Sequence, residues 1–183
     1  MASDYQFFTE WRVEGTVEEV KAILGDTDST AVVRWWPSVY LKIKEVEAGG
    51  EGGVGRVLDL YTKGWLPYTL LWTLTVTEPL TDGGYALAAS GDLAGTGRWT
   101  FQQRGPEVLI TYDWRVHATK PLLARLGWVL KPAFSANHHW AMRKGEESLR
   151  LELLRRRPSV EGAAPIPPPP PATFRWLLRD RLH

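Results

Sequence analysis

The sequence predicts an α+β domain in which an antiparallel seven-stranded sheet wraps around one long C-terminal helix, with two short helices after the first strand. Two observations predict it. Six segments with strand-like patterns follow one another after the short helices, separated only by turns rich in Gly, Pro and Asp, and strands joined in this way form an antiparallel meander. A long helical segment follows the last strand. Because no helix of crossover length separates the strands, the pattern argues against a parallel doubly wound sheet.

The elements can be assigned in order along the chain. The first strand is Tyr5–Val13, where alternation leaves one largely apolar face. Thr16 and Glu19 form a capping box that begins a first short helix, and Gly25 can end it. A second short helix over Thr30–Trp36 has to stop at the proline that follows. The six further strands are predicted at Val39–Val46, Arg56–Lys63, Tyr68–Thr77, Tyr85–Ser90, Arg98–Gln103 and Val108–His117.

The last two strands can be aligned from the turn between them. Pairing Gln103 with Val108 brings the aromatic residues of both strands to the same face, which is the apolar and therefore buried one. An aromatic face of this kind is either packed core or a surface on which a planar ligand stacks. The residues predicted to form this wall, one of them from an earlier strand, are Trp72, Trp99, Tyr112 and Trp114.

The C-terminal helix is expected to begin near Pro121 and to kink or break at Pro132, where a proline removes a backbone hydrogen bond. At about 100° per residue, the stripe that faces the sheet carries one histidine, His138, with small residues beside it that would leave open volume. The stripe consists of Phe134, His138, Ala141, Gly145 and Leu149, flanked by Asn137, Met142 and Ser148.

A sheet wrapped around a helix encloses a concave apolar interior, and such interiors bind small molecules. We therefore expect a hydrophobic, ring-containing ligand, with His138 and Asn137 as its polar anchor. His138 is equally compatible with a buried histidine that bonds a backbone carbonyl or Tyr112. It could also act as general acid or base in an enzyme, with Tyr112 as hydrogen-bond donor. The predicted ligand-binding residues are Trp72, Trp99, Tyr112, Trp114, Phe134, Asn137, His138, Ala141 and Met142.

Composition excludes several classes of function. The net charge of +1 gives no global field that would attract nucleic acid or an anionic membrane. The chain has no cysteine, and no second His or carboxylate stands at ligand spacing from His138, so neither a metal nor a cofactor is expected. Gly50–Gly55 matches a dinucleotide fingerprint, but a strand follows it instead of a helix.

Neither a signal peptide nor a transmembrane segment is expected. The N-terminal residues lack a basic region followed by an apolar run. No apolar run approaches the roughly 18–20 residues that span a bilayer. A cytoplasmic protein is the default expectation.

The chain beyond Leu154 changes character. Three arginines are followed by the proline-rich stretch PIPPPPP and by ATFRWLLRDRLH. The prolines predict an extended spacer without a core of its own. We therefore divide the chain into a ligand-binding domain, 1–157, and a tail, 158–183. The tail could stay solvated, recruit a protein partner, or fold back over its own cavity or that of a neighbour.

The order of elements is typical of the helix-grip fold. The phrases FFTEWRVEGTVEEVKAIL, GDLAGTGRWTF, TYDWRV and NHHWAMRKGEESL resemble the SRPBCC (START/Bet v 1-like) superfamily, in its polyketide cyclase/dehydrase-like branch. The resemblance covers Tyr5 to Leu154. It implies a deep hydrophobic cavity between sheet and last helix that binds lipids, sterols or polyketides, with cyclase or dehydratase activity in some members. No catalytic residue is carried over, although Asn137 and His138 match a recurring Asn-His pair on the grip helix.

Overall fold

The computed structural model describes residues 4–26, 28, 30–119, 127–158, 162 and 164–174. Its helices are α1 (Val17–Leu24), α2 (Ala31–Trp35) and α3 (Gly127–Arg156). Its strands are β1 (Asp4–Glu14), β2 (Tyr40–Glu47), β3 (Val57–Lys63), β4 (Thr69–Thr81), β5 (Gly84–Gly91), β6 (Leu93–Arg104) and β7 (Glu107–Ala118). Within these residues the strands form one antiparallel sheet in the order β1-β7-β6-β5-β4-β3-β2. The predicted architecture is confirmed.

Local signals begin and end the elements as expected. The Thr16 hydroxyl accepts from the Glu19 amide at 3.2 Å, and the Glu19 carboxylate accepts from the Thr16 amide at 2.8 Å. This reciprocal capping box satisfies two amides that the first turn of α1 would otherwise leave without partners. The hydrogen bond and positive charge of Arg157 hold the pKa of Glu19 below its usual value, so the residue that follows α3 also binds the start of α1.

The last hairpin has the predicted register. Gln103 pairs with Val108, and Trp99 pairs with Tyr112. Two strands are longer than predicted: β4 continues to Thr81, and β6 begins at Leu93. The start of β6, LAGTG, resembles a loop in composition, yet pairing with β5 and β7 on both sides holds it extended.

The helix α3 runs through Pro132 without the break that was one of the two expected outcomes. The predicted start at Pro121 lies outside the described residues. The stripe of α3 that was predicted to face the sheet is confirmed at Leu149, which is fully buried. A Cβ atom at Gly145 would lie 2.3 Å from the Trp36 ring and 2.7 Å from the Trp11 ring. Glycine at this position therefore lets two indoles reach the helix backbone.

The described part of the tail lies against its own chain at two points. Arg155 donates a hydrogen bond to the carbonyl oxygen of Pro167. The buried Lys63 ammonium donates to the carbonyl and the hydroxyl of Thr173, both at 2.6 Å, and lies 5.3 Å from the centre of the Phe174 ring. Burial lowers the pKa of Lys63 to about 8. The residues after Phe174, which carry the predicted RWLL segment, lie outside the described residues.

Replacement of Gly145 by Ala sets helix propensity against packing. Propensity alone would stabilise the protein by about 1 kcal/mol. The new methyl group, however, overlaps the rings of Trp36 and Trp11, and overpacking of this kind costs about 1–3 kcal/mol. We expect a net loss in the free energy of unfolding, measured by urea denaturation. Gly83→Ala is the control, because its Cβ would meet only the Thr81 hydroxyl, at 3.7 Å. An unchanged or higher stability of Gly145→Ala would contradict the packing argument.

The Thr173 hydroxyl also lies within hydrogen-bond distance of the carbonyl oxygens of Gly64 (3.3 Å) and Trp65 (3.2 Å). Loss of these bonds in Thr173→Val should loosen the tail. The chain has no cysteine, so a dye can be attached at Ile166→Cys and its anisotropy decay recorded. We expect a fast local component to appear in the Thr173→Val protein but not with Thr96→Val, an exposed threonine of β6. Identical decays in both would show that Thr173 does not hold the tail.

Candidate ligand-binding cavity

A cavity of about 570 Å³ lies on the inner face of the sheet. Its walls come from the sheet, from α1 and α2, from the loop between β2 and β3, and from Met142 of α3. The sheet contributes an apolar lining because every second residue of each strand points to this face. The apolar lining residues of the four strands β2 to β5 include Ile43, Leu60, Leu74, Val76 and Leu87.

The aromatic wall is a stack along β6 and β7. The ring of Tyr112 lies between those of Trp99 and Trp114, with ring centres 4.1 Å and 5.5 Å away. Gly97 makes this arrangement possible, because a Cβ atom there would lie 2.6 Å from the Tyr112 hydroxyl oxygen. The Trp72 indole donates from Nε1 to the Thr62 hydroxyl at 3.0 Å, so its polar atom is satisfied within the wall.

Three tyrosines from different strands line the cavity, namely Tyr40, Tyr85 and Tyr112. Burial raises the pKa of Tyr40 to about 12. Burial also raises the pKa of Tyr85 and of Tyr112, and the neighbouring tyrosines add to both shifts. The three phenols are therefore neutral at physiological pH, and each is able both to donate and to accept a hydrogen bond.

The charged residues of the cavity belong to its mouth, near α1, α2 and the end of β2. Arg56 donates to the Glu45 carboxylate at 2.8 Å and to the Asp26 carbonyl oxygen at 3.0 Å. Lys21 forms an ion pair with Asp82. The rim of the cavity is thus polar and internally paired, whereas its interior is apolar and aromatic.

The structure brings some of the predicted site residues together and separates others. Four of them line the cavity, namely Trp72, Trp99, Tyr112 and Met142. Trp114 belongs to the same aromatic stack, packed on Tyr112 and on Trp72, but is not among the cavity-lining residues. Phe134, Asn137, His138 and Ala141 belong to the N-terminal half of α3 and are not part of the cavity lining.

The N-terminal half of α3 makes contacts of its own. The Phe134 ring meets those of Tyr5 and Tyr68 edge-on, with centres 5.9 Å and 5.8 Å away. Asn137 accepts a hydrogen bond from the Leu66 amide at 3.1 Å and donates to the Tyr68 hydroxyl at 3.4 Å. Asn137 therefore ties α3 to the loop between β3 and β4.

His138 stacks on Phe7 of β1, with ring centres 4.0 Å apart and the planes nearly parallel. Its Nε2 atom is buried and has no hydrogen-bond partner among the described residues. Burial, helped by the neighbouring His139, lowers the pKa of His138 to about 4. The imidazole is consequently neutral at pH 7, and its role as ligand anchor or as general acid or base stays a prediction.

Sequence reasoning missed the tyrosines of β2 and β5 and the contribution of α1 and α2. Tyr85 could have been found, because it pairs directly with Trp99 across β5 and β6. The adjacent Trp35 and Trp36 gave a compositional signal, but the sequence does not reveal which way a five-residue helix presents its side chains. In the structure, Trp35 and Trp36 both line the cavity.

No protein-family model and no curated protein matches the chain. Solved structures do. The Zhui aromatase/cyclase from Streptomyces aligns with a TM-score of 0.64 and 15% identity, over 88% of this chain and 100% of that one. Norcoclaurine synthase from Thalictrum flavum, in complex with dopamine and hydroxybenzaldehyde, aligns with a TM-score of 0.59 and 12% identity, over 86% and 91% of the two chains. The chain has the helix-grip fold.

A third helix-grip structure, from Thermus thermophilus, aligns with a TM-score of 0.62 and 12% identity, over 84% of this chain and 100% of that one. At these identities the likeness concerns the fold alone, and at that level the resemblance found in the sequence is confirmed. No helix of the described residues is long and apolar enough to cross a membrane.

The buried histidine of this helix-grip domain predicts a pH dependence. The unfolded chain binds a proton at His138 near pH 6.5, whereas the folded protein does so only near pH 4. Between these values the unfolded state binds more protons, so stability falls as the pH falls. The expected loss is on the order of 2 kcal/mol, because His138 keeps some exposure to solvent.

Urea denaturation at pH 7 and at pH 4 measures this loss. In His138→Phe, which can still stack on Phe7, the fall in stability on acidification should be smaller by that amount. His117→Gln, a change at a histidine of β7, should lose as much stability on acidification as the parent protein. Equal losses in the parent and in His138→Phe would contradict the assigned pKa.

Proposed function

We propose that this protein binds a hydrophobic, ring-containing small molecule in the cavity of about 570 Å³. The observation that carries the proposal is the continuous aromatic wall of Trp99, Tyr112 and Trp72 beside an apolar interior. Aromatic faces stack on planar rings and gain stabilisation beyond the area they bury. The volume lies in the usual range for small-molecule sites, about 300–1,000 Å³.

The known helix-grip proteins support this proposal. One is an aromatase/cyclase by its name, and another is a norcoclaurine synthase in complex with dopamine and hydroxybenzaldehyde, both of which are ring compounds. In a fold of this kind the space between sheet and helix is the natural site for such molecules. The polar, internally paired mouth of the present cavity suits entry of an uncharged ligand.

The alternative is a cyclase or dehydratase-like enzyme that uses His138 as general acid or base. A catalytic acid or base has to come within hydrogen-bond reach of the reacting group. Tyr112 is among the cavity-lining residues, whereas His138 packs on Phe7. A pKa of about 4 also leaves His138 a weak base and without a proton to donate at neutral pH. We therefore infer binding in preference to turnover.

The proposal is tested by filling the cavity. Leu74 of β4 lines it, so a tryptophan at this position should occupy the space that a ligand needs. We expect Leu74→Trp to weaken binding of the neutral fluorescent probe N-phenyl-1-naphthylamine at least tenfold, about 1.4 kcal/mol, as measured by fluorescence titration.

Leu71→Trp is the matched control, because Leu71 lies on the same strand but is 62% exposed. It should leave the affinity for the probe unchanged. Circular dichroism establishes that both variants keep the fold. Absence of probe binding by the parent protein, or equal affinity in parent and Leu74→Trp, would refute the proposed site.

A further inference from the structure

The described part of the tail connects the C-terminal end of α3 with the end of β3. At one end Arg155, in the last turn of α3, donates a hydrogen bond to the carbonyl oxygen of Pro167. At the other end the Lys63 ammonium donates to the carbonyl and the hydroxyl of Thr173. We call residues 167–173, which lie between these two anchors, the strap.

Lys63 is an anchor that depends on the strap. It is 3% exposed, and among the described residues it has no carboxylate partner, so Thr173 supplies its hydrogen-bond acceptors. A buried ammonium without acceptors would be costly. Phe174, over which Lys63 lies, has a φ of 52°, and it is the only described residue other than glycine in the left-handed region. Backbone strain of this kind persists where the surrounding contacts fix the conformation.

The loop that Thr173 binds also binds α3. We refer to residues 64–68 as the β3–β4 loop. The Thr173 hydroxyl lies 3.3 Å from the carbonyl oxygen of Gly64 and 3.2 Å from that of Trp65. The next residue, Leu66, donates its amide to the Asn137 side chain of α3 at 3.1 Å. A Cβ atom at Gly64 would overlap Asn137, so loop and helix are in direct contact. The β3–β4 loop is therefore held between the strap and α3.

The strap has little slack between its anchors. From Asn137, at the loop, to Arg155, α3 rises about 27 Å at roughly 1.5 Å per residue. The consecutive prolines at 167–171 favour a stiff, extended conformation, in which the strap covers about 19 Å at roughly 3.1 Å per residue. Only a nearly extended strap can connect the two ends, so it restricts movement of the loop relative to α3.

The β3–β4 loop lies at the end of the cavity opposite the charged mouth. The strand β3 begins beside Arg56 of the mouth and ends at Lys63, about 20 Å away at roughly 3.3 Å per residue. Between them Leu60 lines the cavity. Thr62 holds the indole of Trp72, another lining residue, at the end nearer the loop.

We propose that the strap regulates exchange of the ligand. While Thr173 is bound to Lys63, the strap keeps the β3–β4 loop against α3. Its release lets the loop move away from the helix and open this end of the cavity. The effect on the ligand rests on the proposed function, whereas the effect on the loop does not. None of the residues that bind the strap lines the cavity, so the strap should alter the rates of exchange and not the affinity.

Hydrogen exchange of the full chain, followed by mass spectrometry, tests the loop without any ligand. We expect the amides of the β3–β4 loop to exchange roughly fivefold faster in Thr173→Val, as for the loss of one hydrogen bond. Thr173→Ser, which keeps the hydroxyl, and Thr96→Val, at an exposed threonine of β6, should exchange like the parent protein. Unchanged exchange of the loop both in Thr173→Val and in Lys63→Met, which removes the anchor, would overturn the strap.

Stopped-flow fluorescence with N-phenyl-1-naphthylamine tests the effect on the ligand. In Thr173→Val, association and dissociation should accelerate by the same factor, at least twofold, while the Kd stays that of the parent. If the loop exchanges faster but both rates are unchanged, or if the Kd alone changes, the strap does not regulate ligand exchange. If the parent protein does not bind the probe, the proposed function fails, and hydrogen exchange still decides whether the strap holds the loop.

Discussion

The close contact of Gly145 with the rings of Trp11 and Trp36 decides how α3 meets the sheet. The contact requires that the helix have no side chain at this position, because any Cβ would overlap both indoles. It draws the middle of α3 toward β1 and α2 and thereby sets the distance between helix and sheet. The inner face of the strands farther along the sheet, from β6 to β2, forms the wall of the cavity together with Tyr112 of β7.

The two halves of α3 have different tasks as a result. The N-terminal half packs directly on the sheet edge and on the loop between β3 and β4, through Phe134, Asn137 and His138. The C-terminal half is held to α1, where Arg156 pairs with Asp26 and Arg157 with Glu19. Between the two halves, Met142 is the α3 residue that lines the cavity. A helix fixed at both ends can bound a cavity without collapsing into it.

The polar groups of the interior follow the same division. Asn137 satisfies backbone and side-chain groups of a loop and thus serves the fold. Tyr40, Tyr85 and Tyr112 instead line the cavity. The interior therefore contains two kinds of polar side chain. One kind holds a helix to a neighbouring loop, and the other is available to a ligand. The distinction rests on hydrogen-bond partners, which are a property of the packed structure.

The sequence by itself determined the elements, the antiparallel meander and the register of the last hairpin. These depend on alternation, caps and turns, which act over a few residues, so Trp99 and Tyr112 could be paired and placed on the buried face in advance. Only the tertiary structure decided which buried residues reach the cavity. His138 and Leu149 both lie on the stripe of α3 that faces the sheet. Helical periodicity predicts the side of the helix on which a residue lies, but it does not predict which residues that side chain contacts. The position of α3 over the sheet, a long-range packing result, put Phe7 against His138 and left the cavity to residues from α1, α2 and the central strands.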